Sequence, residues 1–268
     1  MSCRSLSCLA IFCGISSCFL FGQQRGDPHP QRDAQAIEIL SRVVQAAGGA
    51  QAVANIRDIT ESGEITFHWG EGHKGSVTIK TLNGNHFRME ADLPEGKRVW
   101  AVKAGLGSVR EPKGGVHVIS GDNAINLENL TFPIVHIVAA LRDSASDISF
   151  VGIEKRDDRS IYRLRLRGHL GLGKAQEGPG FVVVKDLLID ALTFGIVSIE
   201  DHPFRTYDAS KKQSDKPSRE IDFGDFRTIN GIQVPFSITT RLMGQKTLTI
   251  DLSNVAFNTD VSEQDFQN

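Results

Sequence analysis

The chain has 268 residues, of which 40% are hydrophobic and 23% are charged, and these proportions are ordinary for a globular protein. Its 30 Lys and Arg residues nearly balance its 32 Asp and Glu residues, so the formal net charge is −2. The chain therefore lacks the basic excess that nucleic-acid binding requires, and we predict no nucleic-acid partner. The 26 glycines and 9 prolines, with short apolar runs between them, favour many strands joined by turns.

The first 22 residues have the composition of an export signal. Arg4 supplies a positive start, residues 6–21 are apolar or small, and polar sequence follows Gly22. This order is typical of a secretory leader. All four cysteines lie within it, at positions 3, 8, 13 and 18, so we expect the rest of the chain to need no disulfide. The pattern predicts a protein of the periplasm or cell envelope.

Two ways of processing this leader compete. Residues 15–18 resemble a lipobox, in which Cys18 would be lipidated and become the first mature residue. Residues 19–21, however, continue the apolar run, whereas a lipoprotein usually turns polar at once after its cysteine. We therefore favour ordinary cleavage near Gly22, and a soluble protein over a lipid-anchored one.

A polar tether over residues 23–32 and a single domain over residues 33–268 are predicted to follow. Asp33 is the predicted N-cap of the first helix. Apolar residues recur along this helix at helical spacing, at Ile37, Leu40, Val44 and Ala47. Gly48-Gly49 ends it, and residues 50–56 are predicted to form a short second helix.

The next part of the chain predicts an antiparallel meander. From Glu61, apolar and polar residues alternate as in a strand with one buried face. Asn83-Gly84 and Asn230-Gly231 are strong hairpin turns. Residues 207–219 are polar and predict an exposed loop. Further strands are predicted at residues 99–102, 116–119, 148–153, 162–166, 181–189, 196–199, 220–227, 232–241 and 247–257.

An apolar segment over residues 127–143 interrupts the strands. Its apolar residues are too dense for a strand with one solvated face, and Ala139-Ala140 favours a helix. Pro133 suits the first turn of that helix. We predict a short, almost wholly apolar helix that other elements cover on most sides.

The order of these elements resembles the lipoprotein-localization family, the LolA/LolB-like envelope carriers. Residues 225–236 resemble a strand-turn-strand motif of that family, and residues 255–258 and 265–266 are similar to its closing segment. The resemblance covers about residues 33–266. It implies a mainly β, α+β fold: a strongly curved antiparallel sheet that forms an incomplete barrel, with the N-terminal helix and the short apolar helix over the open side. It also implies an apolar concave face that receives acyl chains.

Nine apolar residues could line that concave face: Ile65, Phe67, Trp69, Phe87, Met89, Trp100, Phe132, Ile137 and Leu141. Burying an acyl chain is worth roughly 0.8 kcal/mol for each methylene, so a long chain binds without a charged anchor. The alternative is that the same residues simply form the core, as alternating apolar residues in strands usually do.

No pattern in the sequence predicts an enzyme, a metal site or a cofactor. The chain has no GxSxG motif, and no cysteine follows the leader. The nearest approach to a metal cluster is His68 and His73 with Glu71, whose spacing is unremarkable. A hydrolase that uses carboxylates distant from one another in the sequence is a third and weaker alternative.

Three arginines, Arg163, Arg165 and Arg167, alternate with apolar residues and predict the solvated face of a strand. The alternative is a surface for anionic lipid headgroups or for the acidic surface of a partner.

We therefore predict a non-enzymatic exported protein that binds or carries a lipid or a lipoprotein acyl chain. Its partners would be a lipid or acylated protein, with another envelope protein as a further candidate. Membrane contact would come through headgroups or a lipid anchor. The alternative function is an envelope scaffold with a filled core and no ligand cavity, which contacts its partner through the loop over residues 207–219.

Overall fold

The computed structural model describes residues 30–70, 72–103, 106–119, 124, 127–168, 183–203 and 219–267. The predicted leader over residues 1–22, including Cys18, lies outside these residues. So do most of the predicted tether and all but the last residue of the loop over residues 207–219.

Thirteen antiparallel strands form one sheet, in the order β6-β5-β4-β3-β2-β1-β13-β12-β11-β10-β9-β8-β7. The sheet begins and ends with different strands, so it is an incomplete barrel, and the predicted fold class is confirmed. The strands are β1 (Asp58–Phe67), β2 (Lys74–Leu82), β3 (His86–Leu93), β4 (Gly96–Lys103), β5 (Leu106–Arg110), β6 (Val116–Ile119), β7 (Asp147–Arg156), β8 (Arg159–Gly168), β9 (Val183–Asp190), β10 (Ile196–Pro203), β11 (Arg219–Ile229), β12 (Ile232–Leu242) and β13 (Gln245–Phe257).

The turns between these strands use the residues that the sequence singled out. Asn83 and Gly84 have φ of 52° and 70°, and Asn230 and Gly231 have φ of 50° and 81°. Two successive residues with positive φ suit the twist of a tight hairpin, and asparagine and glycine tolerate that conformation best. These two turns were therefore predictable from the sequence.

Helices α1 (Ala34–Ala46), α2 (Ala50–Ala54) and α3 (Ile134–Arg142) pack with the apolar face of the sheet into one core. The Asp33 side chain accepts hydrogen bonds from the backbone N–H groups of Gln35 and Ala36, as predicted for the N-cap. The buried face of α1 differs from the predicted one: Ile37, which was predicted to lie on it, is half-buried. The buried residues of α1 are Ala36, Ile39, Leu40, Val43 and Val44.

The end of the predicted tether takes part in the fold. The guanidinium of Arg32 donates to the carbonyl oxygens of Leu141 at 2.9 Å and Asp143 at 2.7 Å. These carbonyls lie at the C-terminal end of α3, where they have no partner within the helix and a cation is favoured. Arg32 also forms a parallel bridge with Ile148 at the start of β7. It therefore fastens α3 to an edge strand.

The prediction that three arginines of β8 form a solvated face is wrong for two of them. Arg163 and Arg165 lie mostly buried on the face of the sheet opposite the helices, whereas Arg167 is exposed. Arg165 binds Asp186 through two hydrogen bonds of 2.7 and 2.8 Å. The matching acids lie on neighbouring strands but far away in the sequence, so the alternation of β8 alone did not reveal them.

The guanidinium of Arg163 links three strands. It contacts Glu154 on β7 at 2.9 Å, Asp186 on β9 at 3.1 Å and Glu200 on β10 at 2.5 Å. Burial alone would lower the pKa of Arg163, but its hydrogen bonds to Glu200 and Glu154 outweigh burial and raise it. For Glu200, burial raises the pKa, and the bonds from Arg163 and Arg156 reverse this and lower it. Both groups are therefore charged partners.

Arg156 shows how sharply this half of the sheet bends. It lies on β7 and contacts Glu154 on its own strand at 2.7 Å. It also contacts Glu200 on β10, and Glu220 on β11 at 2.8 Å. Neither β10 nor β11 is a neighbour of β7 in the sheet. A single side chain can reach across intervening strands only where the sheet is strongly curved.

We expect Arg163→Met to lower the free energy of unfolding by about 2–3 kcal/mol, because it leaves the buried carboxylate of Glu200 without its main cation. The matched control is Arg167→Met on the same strand and face, where an exposed cation is lost and the change should stay within about 0.5 kcal/mol. Urea titration of both variants measures the difference. Equal effects of the two changes would show that the ion cluster does not stabilise the fold.

Candidate functional site

An open cavity of about 1060 Å³ lies where the helices meet one end of strands β8 to β12. Ligand pockets typically measure about 300–1,000 Å³, so this one lies just above that range. Its walls come from the C-terminal end of α1, the residues that lead into α3, the β7–β8 and β9–β10 turns and the middle of β11.

The cavity walls are largely apolar. They include Val43, Phe132, Ile134, Phe194, Ile196 and Phe226. Its charged lining residues are Asp158, Arg159, Asp190 and Asp225. Asp190 accepts the backbone N–H groups of Leu192 and Thr193, both at 2.9 Å, and lies 3.8 Å from the guanidinium of Arg159. Asp225 pairs with Arg227 at 2.5 Å. An apolar cavity with a few fixed polar groups suits a small molecule with a large apolar part.

The β9–β10 turn forms one wall. The Phe194 N–H donates to the carbonyl oxygen of Asp190 at 2.9 Å, and the Asp190 N–H donates to the carbonyl oxygen of Gly195 at 2.9 Å. Leu192 stands at the tip of this turn with 88% of its surface exposed. Phe194 has a φ of 58°, in the left-handed region that is unusual for a bulky residue.

A kink in β11 forms the opposite wall. Asp225 has a φ of 47°, and from Asp225 to Thr228 the strand is exposed on both faces. The side chain of Phe226 is therefore 41% exposed at the cavity. The guanidinium of Arg227 lies 4.1 Å from the ring centroid of Phe236. These are residues of the motif at 225–236, so that motif shapes the cavity.

The nine residues predicted to bind a ligand lie mainly in the packed core. Phe132 is the one among them that lines the cavity. Trp69 is 52% exposed beyond the end of β1, where its ring contacts that of Phe67. Trp100 and Leu141 are partly buried against the core. The remaining five are fully inside it: Ile65, Phe67, Phe87, Met89 and Ile137. A ligand-binding role for these nine residues stays a prediction.

The sequence reasoning missed most of the cavity walls. The turn after Asp190 and the motif at 225–236 were both visible, but nothing in the sequence placed them side by side. The signal available was the bulky residue Phe194 at the end of a four-residue turn, a position where glycine or asparagine is expected.

A buried polar cluster lies between α3 and the sheet. Lys185 on β9 is buried and donates to Asn129, whose amide lies 3.5 Å from the carboxylate of Asp201. Burial, reinforced by the charge of Lys185, lowers the pKa of His136 to about 4, so this histidine is neutral at pH 7. Within the described parts of the chain, no group of three or more His, Cys, Asp or Glu residues is placed to hold a metal ion.

Solved structures similar to this chain share little sequence with it. An outer membrane lipoprotein-sorting protein domain from Vibrio parahaemolyticus is 12% identical, with a TM-score of 0.54 over 87% of this chain and 96% of the other. A LolA superfamily protein from Nitrosomonas europaea is 14% identical with a TM-score of 0.53. A DUF1329 family protein from Desulfovibrio piger is 15% identical with a TM-score of 0.51. Each of these two matches covers 87% of this chain and 97% of the other.

The resemblance inferred from the order of elements is thus confirmed at the level of the fold. No family model matches the sequence. No curated protein matches it either. None of the helices in the described ranges combines the length and the apolar content that crossing a bilayer demands.

One carboxyl group is buried in the apolar core. Glu61 on β1 is 2% exposed, and its neighbours across the strands are Ile79 on β2 and Val255 on β13. Its Oε2 atom has no hydrogen-bond partner among the described residues. Burial raises the pKa of Glu61 from 4.5 to about 8, so the group is protonated at neutral pH.

This raised pKa makes stability depend on pH. Below pH 4.5 Glu61 is protonated in both the folded and the unfolded protein, so it does not make stability depend on pH there. As the pH rises from 4.5 towards 8, the unfolded chain loses the proton while the folded chain keeps it, and stability falls by about 1.4 kcal/mol per pH unit. Above pH 8 the penalty is constant.

We expect Glu61→Gln to remove this slope. Relative to the unmodified protein, the variant should gain roughly 3 kcal/mol in unfolding free energy between pH 4.5 and pH 7. The control is Glu64→Gln on the same strand, because that side chain is exposed and pairs with Lys74 at the surface. Urea titrations at several pH values provide the measurement. Parallel stability curves for Glu61→Gln and the unmodified protein would refute a raised pKa.

Proposed function

We propose that this protein is a non-enzymatic, exported binding protein or carrier for an apolar ligand, either a lipid or the acyl chain of a lipoprotein. The observation that carries this proposal is the cavity of about 1060 Å³ with largely apolar walls between the helices and the sheet. The neighbour from Vibrio parahaemolyticus is a lipoprotein-sorting domain, which supports the same class of ligand.

The physical basis is the transfer of apolar surface out of water. Each acyl methylene that enters the cavity contributes roughly 0.8 kcal/mol, so several methylenes suffice for measurable affinity without an ion pair. Binding by burial alone is reversible and needs no covalent step. The ligand would enter through the open side of the cavity, past the exposed side chains of Leu192 and Phe226.

The place of action rests on the sequence. The apolar leader with its positive start favours export, and the carrier would then work in the periplasm or cell envelope. Ordinary cleavage would release a soluble carrier, whereas lipidation of Cys18 would tether it to a membrane.

An envelope scaffold is the second candidate, and strand β6 favours it, because among the described residues β6 has a neighbouring strand on one side alone. Strand β6 exposes Val116 and Val118, and the neighbouring strand β5 exposes Leu106. An exposed edge strand with apolar side chains can pair with a strand of another protein. Such a role would leave the cavity without a ligand.

We expect the mature protein, purified from its own envelope, to retain a lipid or an acylated fragment. Native mass spectrometry would detect that ligand as a mass increment lost on denaturation. The same spectrum would show the N-terminus and any acyl group on Cys18. Protein that carries no ligand and takes up no fluorescent fatty-acid analogue would favour the scaffold.

The cavity itself is tested by a pair of charge substitutions. We expect Phe226→Asp to weaken binding of a fluorescent fatty-acid analogue about tenfold, because it places a charge at the wall where methylenes are buried. Trp69→Asp is the control, since Trp69 is similarly exposed but does not line the cavity. Circular dichroism would verify that both variants fold. A loss confined to Trp69→Asp would place the ligand elsewhere.

A further inference from the structure

Phe194 has a side chain that its backbone conformation disfavours. Nine non-glycine residues in the described part of the chain have positive φ, and seven of them are asparagine or aspartate. The other two are Phe194 at 58° and Met243 at 51°. Asparagine, aspartate and glycine tolerate this region, whereas a bulky residue there signals strain. Asparagine, aspartate or glycine at position 194 would therefore form this turn with less strain.

The contacts of the ring show what the side chain does. Phe194 lines the cavity. Its ring centroid lies 6.2 Å from that of Tyr162, and the guanidinium of Arg42 lies 5.4 Å from it. Neither Tyr162 nor Arg42 lines the cavity. The ring therefore separates the cavity from an aromatic side chain on β8 and from a cation on α1.

More apolar surface lies behind this wall. Tyr162 contacts Phe150 on β7, with ring centroids 6.3 Å apart, and both pack against the core. Without the Phe194 ring, the cavity would extend towards these two rings. The guanidinium of Arg42, which also pairs with Glu38 at 2.7 Å, would become part of the wall.

We infer that Phe194 is a specificity-determining residue: its ring sets the length of acyl chain that the cavity accepts and keeps the cation of Arg42 out of contact with the ligand. This inference rests on the proposed function. It explains why a strained phenylalanine occupies a turn position that glycine would fill without strain. Arg159 also lines the cavity, with its guanidinium 3.8 Å from the carboxylate of Asp190, so loss of the Phe194 ring would add Arg42 as a second cation of the wall.

The test compares Phe194→Ala with the unmodified protein. The probe is a fluorescent fatty-acid analogue, displaced by saturated fatty acids that lengthen in steps of two methylenes and by their methyl esters. For the unmodified protein we expect an optimum chain length and a ratio of acid to ester affinity that serves as the reference. For Phe194→Ala the optimum should move to longer chains, with about a fourfold gain for each additional methylene accommodated. The affinity of the acid relative to its ester should also rise above that of the unmodified protein, because Arg42 is uncovered.

Two further variants separate the effect of losing the ring from the effect of relieving the strained backbone. Phe194→Gly removes the same ring and suits the positive φ, so it provides a folded protein if Phe194→Ala is unstable. Met243 also has a positive φ, but its side chain is 84% exposed and does not line the cavity. Met243→Gly therefore relieves backbone strain without changing the cavity. We expect Phe194→Gly to shift the optimum length and Met243→Gly to leave it unchanged.

The outcomes are distinct. If the unmodified protein binds the probe but both Phe194 variants keep its chain-length optimum and its acid-to-ester ratio, the inference about Phe194 is wrong and the proposed function stands. If the unmodified protein binds neither the probe nor any fatty acid, the proposed function fails, and this inference fails with it.

Discussion

The pairing of the first strand with the last holds this molecule together. β1 lies between β2 and β13, and it pairs with β13 from Ile59 with Phe257 to Phe67 with Leu248, with one irregularity between Ser62 and Gly63. Through this ladder the strands β1 to β6 and the strands β7 to β13 become one sheet. The three helices then bury a continuous apolar face that neither half could present alone. The cavity depends on the same ladder, because its walls come from α1 in the first part of the chain and from β8 to β12 in the second.

The two halves of the sheet use their inner faces differently. In the half that contains β1 to β4, aromatic and aliphatic side chains fill the space under the helices, and even a carboxyl group, Glu61, is enclosed there. In the half that contains β8 to β12, the helices stand away from the strand ends and leave the cavity open. The ion cluster around Arg163 lies on the opposite face of this second half. Its arginines join strands that are not neighbours and so help to hold the bend of this half of the sheet.

Most of the fold was predictable because its signals are local. Asp33 caps α1, Pro133 precedes α3, and Asn83-Gly84 makes a hairpin, each for reasons confined to a few residues. Of the nine residues predicted to bind a ligand, Phe132 lines the cavity, and the role of all nine stays a prediction. Alternation shows which side chains point inward but not how tightly they pack, so it could not locate the cavity. The partners of Arg163 and the wall formed by Phe194 were out of reach for a related reason. Both depend on contacts between strands and helices that are distant in the chain.

The position of β1 has a consequence for how the chain acquires its structure. Hairpins β2–β3, β3–β4 and β4–β5 join strands that are neighbours in the chain, so they can form early and locally. β1, however, can complete its pairing only when β13 near the C-terminus is available, and closing the long loop between these two strands is slow. A chain still being synthesised or threaded through a membrane would expose one bare side of β1 throughout. Such an edge invites pairing with other chains, so aggregation competes with folding until β13 has been made.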